Sequence, residues 1–383
     1  MSHLTLLWLN LQAYSNSHIG NRIFPNGMDK ILDGGDRSAE PPRSAQCLSR
    51  PGSSPRQPAP ATEARGPIRK QWSCIAKWQN EHALIAGASK MFDLRIVICS
   101  ALLIGAISSI ALGQTVGPCR FDRTTFSFSG SEKEQARCLL RPVGEWGKVG
   151  AMLPSLPPTL ETKVGQPPDV SRDEVRQELA ALNLTEAAVG GSLDQPISRG
   201  LDGASRAPVA RYFVIHDTSA PWLGNQSFPG DIDTSSQVND LRQYAGADAV
   251  AHMFINRRGE MLVGHELSVP WRATKLETQV VGEPAKGMFI HIESVQPRRR
   301  DPRGGPRNDA VAPEPGFTAE QYDRLALLYL VASRRSEIWM VPAFHAAIDE
   351  GIPNAHDDPQ NFELAKFDAA LGLLLTRIRQ RPK

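Results

Sequence analysis

RYFVIH, residues 211–216, decides how the second half of this chain folds. Tyr212, Phe213, Val214 and Ile215 form a short apolar run of strand-favouring residues that delivers a histidine at its carboxyl end. Outward from it, AHMFINRRGEMLVGH (251–265) reads as a hairpin, two apolar arms around Arg257-Arg258-Gly259. GMFIHIESV (287–295) alternates, with Met288, Ile290 and Ile292 on one face and His291 on the other. EIWMVPAF (337–344) is a further strand, followed at once by His345. Between these, FTAEQYDRLALLYLVASRR (317–335) opens with Thr318 and Gln321 in capping-box spacing and repeats Tyr322, Leu325, Tyr329 and Ala332 at helical intervals. PQNFELAKFDAALGLLLTRIR (359–379) is a closing amphipathic helix. Strands alternating with helices predict an α/β domain over 206–380, a mixed central β-sheet flanked by helices.

Upstream the pattern changes. Residues 34–68 nearly lack large apolar side chains and cannot offset their chain entropy, so 1–90 reads as a disordered extension or one from a mis-assigned start codon. KMFDLRIVICSALLIGAISSIALGQ (90–114) has basic residues, an apolar run and a small-residue exit at Ala111-Leu112-Gly113. That is the layout of a secretory signal peptide over 91–113, starting at Met91, and the alternative is a single membrane anchor. Export would leave a periplasmic or secreted chain with no stable membrane span. Two cysteines, Cys119 and Cys138, remain after the cut and can close a disulfide loop of about 20 residues, worth on the order of 3 kcal/mol. Residues 114–205 read as an irregular N-terminal region with one helix. PSLPPTLETKVGQPPDV (154–170) is extended, Ser171 and Glu174 box the start of VRQELAALNL, and 190–208 is a linker.

Composition narrows function. Hydrophobic residues at 41% and charged residues at 22% predict a packed core, and a net charge of +2 argues against nucleic acid as a partner. No oligomeric state is implied. His216 and His345 each follow an apolar strand, where open α/β sheets place their sites. NAHDDPQNF (354–362) adds Asp358, which either caps a helix starting at Pro359 or, with the two histidines, holds a metal ion. His265-Glu266 opens like a zinc-protease helix, but Val269 stands where the second histidine is needed. PRRRDPRGGPR (297–307) reads as a solvated inserted loop.

Residues 206–375 resemble the zinc-dependent N-acetylmuramoyl-L-alanine amidase family, which includes the peptidoglycan-recognition proteins. VIHDTS, AHMFINRRGEMLV, PWRA, FIHIESV, FTAEQYDRLALLYL and FHAAIDEGIPNAHDDPQNF follow the family's motifs in order. The resemblance implies Zn2+ held by His216, His345 and Asp358, with Glu293 as the catalytic carboxylate. It implies substrate contacts at Trp271 and the hairpin histidine His252, although on the residues alone His252, His265 and His291 read as structural. His356 stands where the family often has an oxyanion-stabilising lysine, and Ala251 where a tyrosine is common. The loop from His345 to Asp358 is longer than usual, which makes His356 a second candidate for the nitrogen ligand. The implied reaction is hydrolysis of the amide between N-acetylmuramic acid and L-alanine in peptidoglycan or muropeptides. The alternatives are a recognition module that binds without cutting and an amidase of the same fold with another substrate.

Overall fold

The computed structural model describes residues 115–200, 208–245, 250–306 and 308–381. The extension over 1–90 and the leader over 91–113 lie outside the described residues, as do 201–207 of the expected linker. Among the described residues no helix is long and apolar enough to cross a membrane.

The N-terminal region is more regular than its sequence implies. Three two-residue strands, β1 (Thr115–Val116), β2 (Phe121–Asp122) and β3 (Ser127–Phe128), form a small antiparallel sheet. Helix α1 (Glu132–Leu139) follows, boxed by Ser131 and Glu134, and the Cys119–Cys138 disulfide ties it to the β1–β2 turn. The stretch expected to be extended contains α2 (Pro158–Lys163), with proline at its start. Its free backbone N–H groups at Thr159 and Leu160 donate to the Asp368 carboxylate from the far end of the chain, a cap that no local pattern can reveal. Helix α3 (Arg172–Ala181) carries the Ser171–Glu174 box as expected. Residues 190–200 are not a loose linker: Leu193 and Ile197 are buried, and the Arg335 guanidinium donates to the carbonyls of Gly190, Gln195 and Pro196.

The main sheet is mixed. Its strands are β4 (Tyr212–Asp217), β5 (Met253–Ile255), β6 (Met261–Val263), β7 (Phe289–Ser294) and, beyond the short hairpin β8 (Arg299–Arg300) and β9 (Ala310–Val311), β10 (Val341–Phe344). They run in the order β10-β4-β7-β5-β6, all parallel except for the antiparallel β5–β6 hairpin. All six residues of β4 are buried, which is why RYFVIH is apolar throughout instead of alternating. Strand parity divides the sheet into two faces. Phe213 points to Tyr329 of helix α4 (Ala319–Ser336), their rings 5.2 Å apart, and α4 packs against the closing helix α6 (Leu364–Gln380). Tyr212 faces the other way and stacks on Phe289 at 5.0 Å and edge-on to Phe128 at 5.2 Å. The small N-terminal sheet thus covers the face of the main sheet that also carries His216, His291 and Glu293.

Tyr212 is the pin between the two. Its buried hydroxyl accepts from the Phe128 backbone N–H at 2.9 Å and donates to Gln135 at 3.0 Å. Replacing Tyr212 by Phe keeps the ring but leaves both partners unsatisfied, so urea unfolding should show a loss of about 1–3 kcal/mol. An unchanged midpoint would mean the N-terminal region contributes no such link.

Candidate metal centre

Because β4, β7 and β10 are adjacent and parallel, their carboxyl ends open along one edge of the sheet. His216 near the end of β4 is the register partner of Glu293 on β7. β10 runs directly into His345, the first residue of α5 (His345–Asp349). The third group comes from the following loop. Asp358 does not cap a helix at Pro359, since α6 begins only at Leu364 with Glu363 in the cap position. Its carboxylate turns to the two histidines and accepts the Asp217 backbone N–H at 3.2 Å.

The three side chains are at most 2% exposed. Nδ1 of His216 lies 2.9 Å from Nδ1 of His345, which lies 3.0 Å from Asp358 Oδ1, and His216 Nδ1 is 3.6 Å from Asp358 Oδ2. One ligand atom from each falls within 4.8 Å of the others, so the cluster could hold a metal ion. A tetrahedral ion with bonds of about 2.0–2.2 Å separates its ligand atoms by about 3.3–3.6 Å, close to the 2.9, 3.3 and 3.6 Å found here when Oδ2 is the Asp358 ligand atom. Electrostatics points the same way. Burial opposes a charge on His345, yet Asp358 and Asp349 outweigh it and hold the imidazole well above its usual range. Burial also works against the Asp358 carboxylate, but His345 and His356 keep it well below the usual range. Burial and the neighbouring His345 push His216 well below its own. The cluster therefore favours a positive charge beside the Asp358 carboxylate.

Glu293 borders this group. It is 12% exposed, with Oε1 at 3.8 Å from His216 Nδ1 and Oε2 without a hydrogen-bond partner. Burial, then Asp358 and Asp217, raises its pKa well above the ordinary carboxylate range. His356 sits at the rim, half exposed, its Nδ1 3.6 Å from Asp358 Oδ1 and its ring 4.3 Å from that of His345. His345, not His356, is the nitrogen that joins His216 and Asp358. Trp271 is partly buried, donates from Nε1 to the Val250 carbonyl and packs 4.1 Å from His265. The expected substrate contact at His252 does not fit its placement. That ring is fully buried, with Nδ1 taking the His291 backbone N–H and Nε2 meeting the Val269 carbonyl, and burial pushes its pKa down to about 3.

No family model, curated protein or solved structure matches this chain. The chemistry of the site must be read from its own atoms.

Behind the cluster lies a buried ion pair that the sequence does not announce. Arg298 belongs to the arginine run expected to be solvated, yet it is 1% exposed and donates to Asp217 Oδ2 at 2.6 Å. The same oxygen accepts the Gln360 backbone N–H, so the pair ties the loop of Asp358 to the end of β4. Metal analysis should find on the order of one divalent ion per wild-type chain and little in His216→Ala, whereas equal contents would place the ion elsewhere. Arg298→Leu strands a buried carboxylate, and thermal unfolding should show a loss of about 3–5 kcal/mol.

Proposed function

We propose that residues 206–380 form an exported zinc amidase that cleaves the bond between N-acetylmuramic acid and L-alanine in peptidoglycan or muropeptides. The observation that carries this reading is the convergence of two imidazoles and one carboxylate beside a second carboxylate, on the neighbouring strand, with one oxygen free of hydrogen bonds. Two neutral nitrogens and one carboxylate suit zinc and leave it a net positive charge. When bound, zinc supplies Lewis acidity and lowers the pKa of water to about 7. Glu293 then takes the proton of the attacking water and hands it to the leaving amine as the C–N bond breaks. Its raised proton affinity is the direction such a carrier needs. His356 at the rim is within reach of the same opening and, as a cation or N–H donor, would stabilise the tetrahedral oxyanion. The order of motifs over 206–375 supports the choice of substrate. The Cys119–Cys138 disulfide supports an oxidising compartment, in keeping with a leader at Met91.

The test is product analysis. Purified protein incubated with peptidoglycan should release intact stem peptides. Glu293→Gln should lower that rate by roughly 10²–10⁴-fold while keeping its zinc. A Glu293→Gln variant as fast as wild type would remove Glu293 from the reaction. Muropeptide binding with no released peptide from wild type would identify a recognition module instead.

A further inference from the structure

Behind each metal-facing imidazole stands a buried carboxylate, and both carboxylates grip one short backbone segment. His345 Nε2 lies 2.9 Å from Asp349 Oδ2. His216 Nε2 lies 3.0 Å from His291 Nδ1, and His291 Nε2 lies 3.2 Å from Glu277 Oε2. His291, Glu277 and Asp349 are all 0% exposed. These are close charged contacts and not completed hydrogen bonds, and neither His345 Nε2 nor His291 Nε2 has another partner. Four successive backbone N–H groups are shared between the two acids: Ala273 and Thr274 donate to Glu277, Lys275 and Leu276 to Asp349. Leu276 opens the helical turn Leu276–Val281, Lys275 is its cap residue, and Ala273 and Thr274 immediately precede it.

The ends of this chain determine where its protons sit. Oε2 of Glu277 and Oδ2 of Asp349 already accept backbone N–H groups, so the protons on these contacts are assigned to His291 Nε2 and His345 Nε2. His291 Nδ1 is then an acceptor, which assigns a proton to His216 Nε2. Both inner nitrogens, His216 Nδ1 and His345 Nδ1, are left with lone pairs to give to a cation beside Asp358. We propose that Glu277, acting through His291, and Asp349 are positioning residues that hold the two metal-binding imidazoles in one tautomer and orientation, coupled through segment 273–277. The proposal rests on the metal-binding part of the function above and not on its substrate.

A residue that merely caps a helical turn would affect stability and leave metal affinity alone. Zinc affinity, read by chelator competition on stripped and reloaded full-length protein, separates the two roles. Glu277→Gln and Asp349→Asn should each weaken zinc by roughly 10–100-fold. His291→Phe, which does not touch the capped N–H groups, should weaken zinc to the same extent, and the stability it loses is read separately from the melting temperature of the zinc-free form. Affinities equal to that of wild type in all three variants would overturn this proposal alone. A wild type that binds no zinc would overturn the metal reading and this proposal with it. Should the variants fail to fold, long-range 1H–15N correlation on zinc-free wild type should find the protons of His216 and His291 on Nε2. A proton on His216 Nδ1 would overturn the assignment.

Discussion

Two imidazole nitrogens lie 2.9 Å apart with a buried carboxylate oxygen 3.0 Å from one of them, an arrangement that favours a positive charge beside the carboxylate. Much of the surrounding structure serves that arrangement. The parallel pairing of β10 with β4 sets His345 beside His216. The Asp217–Arg298 pair anchors the loop that brings Asp358. In β7, Glu293 and His291 share a face, so one strand supplies a carboxylate beside the cluster and an imidazole behind it. Burial makes each of these contacts count, because water is not present to screen them.

The half of the site that lies on strands could be read from residues alone. Apolar runs ending in His216 and His345 announce both the elements and the edge at which they meet. The hairpin with its turn at Gly259, the alternating strand that carries Glu293 and the capped helix from Ala319 are equally local signals. Asp358 was ambiguous because Asp-Pro before an amphipathic stretch is also a common helix entry, and only the true start at Leu364 separates the two readings.

What stayed hidden is non-local. Strands of two residues, such as those holding Phe121 and Phe128, are shorter than any periodicity can register. The cap that turns a proline-rich stretch into a helix comes from Asp368. Glu277 sits in an irregular turn without pattern, and the bond from the His291 backbone of β7 to His252 bears out the structural reading of that histidine over the implied substrate contact. Asp349 was the exception: four residues after His345 on a helix, it lies on the same side and offered a local clue.

The small sheet over Tyr212 and Phe289 also limits how the protein can be divided. Residues 115–200 share one continuous core with the strands that bear the histidines, so the boundary near 206 separates sequence styles and not folding units. A fragment begun there would lay bare the rings of Tyr212 and Phe289, an oily face inviting self-association. Proteolysis within that leading region would consequently be felt at the sheet edge that bears the histidines, because the helix Glu132–Leu139 packs against the strand and helix that carry His345.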